Sequence, residues 1–122
     1  EKITQKNKII KRERPSRRDY RLAWNVFVDL IKIMEPDLCI VLTTSSADHF
    51  NNVIKKRGLK FEPVKRHKKI GGAYEKSASL VVNDKNNKLL FVRHPSSYFS
   101  APKWRNFLQN NIPDYLNWVE EL

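Results

Sequence analysis

Between the turn signals Pro36-Asp37 and Thr43-Thr44-Ser45 stand five apolar residues without a break, Leu38-Cys39-Ile40-Val41-Leu42. A run this short does not make a helix of ordinary length. Its lack of alternation predicts a strand buried on both faces, the usual state of strands in a parallel sheet under helices. The flanking segments have a helical period. A helix is predicted from an N-cap at Ser16 to about Met34, because Asn25, Asp29, Lys32 and Glu35 recur at helical spacing while the rest of the circumference is apolar. After the run, Ala47 to Arg57 predicts a second helix, with Gly58 placed just beyond its C-cap. Strand, short turn and helix form a crossover unit. The expected fold class is therefore α/β, a three-layer sandwich with a mainly parallel central sheet flanked by helices.

The remaining segments read less evenly. Leu59 to Val64 predicts a strand interrupted at Pro63, and the basic stretch Lys65–Lys69 runs into Gly71-Gly72 as a mobile or phosphate-facing loop. Ala78 to Val82 and Lys88 to Val92 predict strands around Asn83–Asn87, residues that favour a turn but can also join strands less directly. A helix is expected from Pro102 as its first residue, and a last one from Pro113. At 122 residues there is material for one core. Residues 1–16 are expected to be a basic arm or peripheral segment and residues 17–122 a single α/β domain. The chain begins at Glu1 rather than Met, as expected of a fragment, a processed product or an incompletely observed chain.

Charge is the strongest compositional signal. Lys and Arg number 24 against 13 Asp and Glu, a net charge of +11. Residues 1–21 hold nine basic against three acidic side chains, and residues 55–76 hold nine against two. Two separate basic blocks imply a surface that meets phosphates, a polyanion partner that charge alone leaves open between DNA and RNA. A protein-interaction domain with an acidic partner is a third reading. No apolar run reaches the roughly 18 residues of a membrane span, and no signal-peptide pattern opens the chain. Cys39 stands alone inside an apolar run, as a buried thiol of a reduced compartment would, so an intracellular (cytoplasmic or nuclear) location is expected. His49, His67, His94 and Cys39 have no metal-ligand spacing, so neither metal nor cofactor is expected. Trp24, Trp104 and Trp118 are expected in the core or at a partner interface.

The segment richest in chemistry is Leu89-Leu90-Phe91-Val92-Arg93-His94-Pro95-Ser96-Ser97. An apolar strand delivers a histidine, a turn-setting proline and two serines to the carboxyl end of a sheet, where open α/β sheets place their ligands. His94 can donate to a carbonyl or a developing anion there, and the Ser96 and Ser97 hydroxyls can hold a phosphate. An ordinary turn after a strand accounts for the same three residues. Thr44 and Ser45, ending the preceding strand, are further phosphate candidates, as are Lys65, Arg66, Lys68 and Lys69.

This stretch, continued through Tyr98-Phe99-Ser100-Ala101, resembles the later signature of the uracil-DNA glycosylase superfamily, a buried strand, His-Pro-Ser and a minor-groove loop. Tyr20-Arg21-Leu22-Ala23-Trp24 through Met34 and Pro36 to Leu42 resemble the family's preceding helix and strand, so the resemblance covers about residues 18–110. It implies that His94 hydrogen-bonds a flipped base or steadies the departing uracil anion. It implies that Ser96 grips a DNA phosphate, and that Tyr98 or Phe99 wedges into the base stack. The family's Gly-rich segment, whose Asp or Asn positions the attacking water, has no counterpart here. Either that half lies outside this chain, and the whole hydrolyses N-glycosyl bonds, or the domain serves binding alone.

Overall fold

The computed structural model describes the backbone of residues 2–5 and 8–11 and all of residues 14–94 and 100–122. In chain order the elements are β1 (Lys2–Gln5), β2 (Lys8–Lys11), α1 (Arg17–Met34), β3 (Leu38–Val41), α2 (Phe50–Lys56), β4 (Phe61–Ile70), β5 (Ala73–Val82), β6 (Lys85–Phe91), α3 (Ala101–Asn111) and α4 (Pro113–Glu120). A 3-10 turn over Ser45–His49 leads into α2. β1 and β2 pair antiparallel as a sheet of their own, and the other four strands form one sheet in the order β3-β6-β5-β4.

That order corrects the expected architecture. Only β3 and β6 run parallel; β4, β5 and β6 are an antiparallel meander, so the fold is α+β with a mixed sheet and not a mainly parallel three-layer sandwich. The physical reason lies in two turns that close too tightly for a crossover. Asn83 and Asp84 both take positive φ, 52° and 60°, and Val82 pairs directly with Lys85, giving the two-residue hairpin that Asn and Asp favour. Ile70 likewise pairs with Ala73 across Gly71-Gly72, with Gly71 at φ 60°, a conformation that side chains resist. The Gly71-Gly72 segment is thus a hairpin turn, and Lys65–Lys69 belong to a strand rather than a loop. β5 and β6 also begin earlier than the apolar runs suggest, at Ala73 and Lys85, because their polar first halves pair as fully as their apolar second halves.

The five-residue apolar run is the second correction. β3 sits at the sheet's edge; Leu38, Cys39 and Val41 are half-buried and Ile40 is exposed. Cys39 packs beside the core, and burial pushes its thiol above its ordinary pKa, which keeps it a poor nucleophile.

Each face of the sheet carries its own core. On one face Trp24, Val28 and Ile31 of α1 and Phe50, Val53 and Ile54 of α2 meet Ala78, Leu80, Leu89 and Phe91. Trp24 stands edge-on to Phe27, Phe50 and Phe91, the arrangement that aromatic quadrupoles prefer. On the other face Trp104 and Phe107 of α3 and the following Ile112 cover Ile70, Ala73, Leu90 and Val92. The helix starting at Ser16 is present as read. Asp19 N donates to Ser16 Oγ and Ser16 N donates to the Asp19 carboxylate, a reciprocal cap that satisfies two otherwise unpaired amides of the first turn.

Candidate nucleic-acid interface

Because β3 and β6 are parallel, their carboxyl ends emerge side by side, with Val92 N donating to Val41 O at 3.0 Å. This brings the turn Thr43–Ser46 next to Arg93 and His94. β4 runs in the same sense as β6, so its second half, with Arg66, Lys68 and Lys69, points to the same end of the sheet. The β4–β5 hairpin closes against that cluster, since a Cβ on Gly72 would stand 3.6 Å from Arg93 Nη1. α1 runs opposite to β3 and presents its amino end there. Trp24 Nε1 donates to Ser46 O at 2.9 Å, and Tyr20 stacks on His49 with ring centroids 4.4 Å apart.

The resulting end of the molecule is crowded with cations. Arg14, Arg17, Arg18 and Arg21 are exposed around the start of α1, where the helix dipole adds partial positive charge. Arginines at a helix amino end work against that helix, a local cost that points to a role outside folding. The nearby carboxylates have assignments: Asp19 is consumed by the cap, which holds it below the ordinary carboxylate value, and Asp48 lies 3.4 Å from Lys76 Nζ. Lys76 is nearly buried and donates to Thr44 O at 2.9 Å, fixing the turn from beneath. Thr43 Oγ1 and Ser45 Oγ are 3.2 Å apart at the surface of that turn. Tyr74 is flanked by two cations, Arg66 at 5.2 Å and Lys69 at 5.6 Å from its ring centroid.

A groove runs from this end along the α3 face. Lys65, His67, Ser77, Lys88 and Asn111 line a space of about 270 Å³, and Lys68, Lys69, Lys103, Asn106 and Asn110 line a neighbouring one of about 440 Å³. His67 Nε2 and Ser77 Oγ are 2.7 Å apart in the first of these. Cations and amides outnumber the two carboxylates of the lining, Glu62 and Glu75, and Glu75 already accepts from Lys68 N; the cations and amides suit phosphate and ribose oxygens.

Of the residues expected in a site, Thr44, Ser45, Arg66, Lys68, Lys69 and His94 are gathered at one end of the sheet, and Lys65 lies further along the groove. Ser96, Ser97, Tyr98 and Phe99, with Pro95, fall outside the described residues. Lys76, Tyr74, Arg93 and Lys103 were missed. Their one signal was the alternation of Tyr74 and Lys76 within a strand, readable only once that strand is known to begin at Ala73. The basic block of residues 55–76 is also split by the fold. Lys55, Lys56 and Lys60 lie where α2 descends to the start of β4, at the opposite end. Among the described residues no group of three His, Cys, Asp or Glu is placed to hold a metal ion, and no helix is long and apolar enough to cross a membrane. No family model matches the sequence, and neither a curated protein nor a solved structure matches the chain.

Proposed function

We propose that this chain is a nucleic-acid-binding module that lays the phosphate backbone of DNA across the carboxyl end of its β3–β6 pair. The observation that carries the reading is the convergence of cations from distant segments, Arg17 to Arg21, Arg66 to Lys69, Arg93 and Lys103, at one end of a sheet whose other end has mixed charge. Three interstrand steps of about 4.8 Å make that front about 14 Å wide. Over such a length a duplex carries roughly eight phosphate charges. The Tyr74 ring between Arg66 and Lys69 offers a face for a base, and the Ser45 hydroxyl a donor for a phosphate oxygen.

The test is fluorescence anisotropy on labelled duplex and single-stranded DNA over a salt series. Log affinity is expected to fall linearly with log salt, with a slope near −0.9 for each phosphate neutralised on duplex. Binding indifferent to salt would overturn the reading.

A second, enzymatic reading rests on one placement. His94 stands at the carboxyl end of β6 beside the Thr43–Ser46 turn, where a flipped base would meet a donor. A glycosylase acting this way leaves alkali-labile abasic sites in uracil-containing DNA and loses that activity on His94→Ala. Intact DNA after incubation would leave binding as the whole function.

A further inference from the structure

α1 is apolar well beyond the stripe that it buries. Its polar flank, with Asn25 and Asp29, receives the Arg57 guanidinium of the α2 terminus at 3.2 and 2.9 Å. α2 lies over β4, where Asn51 accepts from Val64 N. The flank of α1 turned away from α2 therefore overhangs the free edge of β3. That flank carries Leu30 and Met34, and Val26 and Ile33 continue it onto the outer surface; all four are exposed, Ile33 by 80%.

The other face of the sheet repeats the pattern. Lys103, Asn106 and Asn110 of α3 face β4, while Arg105 on its opposite flank pairs with Glu120, which places α4 on the β3 side. α4 buries none of its residues, and Tyr115, Trp118, Val119 and Leu122, spaced for one helical face, stand exposed, Trp118 by 60%. Tyr115 lies close enough to Lys85 to act on it electrostatically, and Lys85 is ion-paired to Asp37 at the foot of β3. Between the two helices runs β3, with Ile40 and Leu42 exposed and no charged residue from Leu38 to Leu42. Among the described residues no strand pairs with its outer edge.

We propose that this margin is a homodimer interface, in which β3 pairs antiparallel with β3 of a second copy about a two-fold axis normal to the sheet. Such an axis keeps each face in register, so α1 meets its copy on one face and α4 meets its copy on the other. A single added strand from another protein would satisfy the edge and leave both helical flanks wet. A second copy brings a strand and two apolar flanks at the same heights, and an apolar surface is complementary to itself. The area suffices. At roughly 100 Å² for each well-exposed side chain, the three elements offer on the order of 800–1,000 Å² per copy, what a stable interface needs. It also exceeds the apolar patches of a few hundred Å² that monomers carry.

The full chain, nuclease-treated and held at high salt so that nucleic acid cannot bridge copies, is expected to have twice the 14.5 kDa chain mass by light scattering. Leu30→Glu with Met34→Glu, and separately Trp118→Glu, change side chains that are already exposed. Each is expected to weaken self-association about 100-fold while leaving the far-ultraviolet circular dichroism unchanged. A chain mass at every concentration, a dimer that disperses on nuclease treatment, or a dimer indifferent to both variants would overturn the proposal.

Discussion

The two edges of the four-stranded sheet are built from opposite chemistries. β4 presents Glu62, Lys65, Arg66, Lys68 and Lys69 along its exposed length, carries Pro63, and slips register twice, between Glu62 and Lys65 and between Arg66 and Lys69. β3 presents Leu38, Cys39, Ile40 and Val41, with neither charge, proline nor bulge. Charge, proline and bulges are the means by which sheet edges avoid pairing with other chains. One edge thus meets water and ions as it stands, and the other is suited to being covered. The difference separates the two proposed partners in space: polyanion toward β4 and the carboxyl end, a second copy along β3.

The sharpest way to break that separation is to move charge. Arg66→Glu with Lys69→Glu is expected to weaken DNA binding by about 100-fold at low salt, near a factor of ten for each reversed phosphate contact. Lys55→Glu with Lys56→Glu makes the same change in net charge at the other end of α2, more than a Debye length of about 10 Å away, and is expected to cost no more than a few-fold. Equal losses from the two pairs, measured by anisotropy, would mean that net charge rather than the carboxyl end governs binding. Neither pair should alter the oligomeric mass.

Why the edges were not distinguishable from sequence is a matter of what each strand packs against. Leu38 to Leu42 has the composition of a central strand, and composition is blind to whether the covering partner belongs to the same chain. β4 shows no period of two because Lys65 to Lys69 are all exposed and its bulges shift the register; hence a charged run read as a loop. Local signals survived better. The Ser16 cap and the Gly58 stop at φ 68° act over a few residues and are where the residues suggest, while the turn expected over Asn83–Asn87 narrows to Asn83-Asp84. The grouping of Thr44, Ser45 and His94 needs the parallel pairing of β3 with β6, two segments far apart in the sequence. Gathering Lys69, Tyr74 and Arg93 beside them needs the meander, whose two tight turns at Gly71-Gly72 and Asn83-Asp84 set which ends of β4, β5 and β6 meet.

A smaller change sharpens the comparison from the β4 side. Replacing Pro63 with Val and Lys65 and Lys68 with Thr restores a donor and a β-branched surface to that edge. The variant is expected to begin self-associating at lower concentration, seen as rising light scattering, without losing the mass of the parent assembly. An unchanged onset would mean that the bulges alone protect β4.

The smallest expected effect lies at the foot of β3, where Asp37 is tied to Lys85 of the sheet, 2.7 Å apart. The hydrogen bond from Lys85, reinforced by its charge, holds the Asp37 carboxyl below its ordinary value of 3.8. The same hydrogen bond leads the causes that lift Lys85 above 10.5. For a depressed carboxylate the stabilisation is complete above the unfolded value and is lost as pH falls through the lowered folded value. For a raised lysine it is complete below 10.5 and is lost as pH climbs through the raised folded value. Both groups are exposed, so water and salt screen the pair and the effect is small. Asp37→Asn is therefore expected to lower the Tm slightly by a constant amount across neutral pH, with the difference from the parent closing on both the acid and the alkaline limbs. A difference that stays constant down through pH 3 would mean that the Asn disturbs the Pro36-Asp37 turn, and that the parallel pair does not depend on this charge to hold its outer strand.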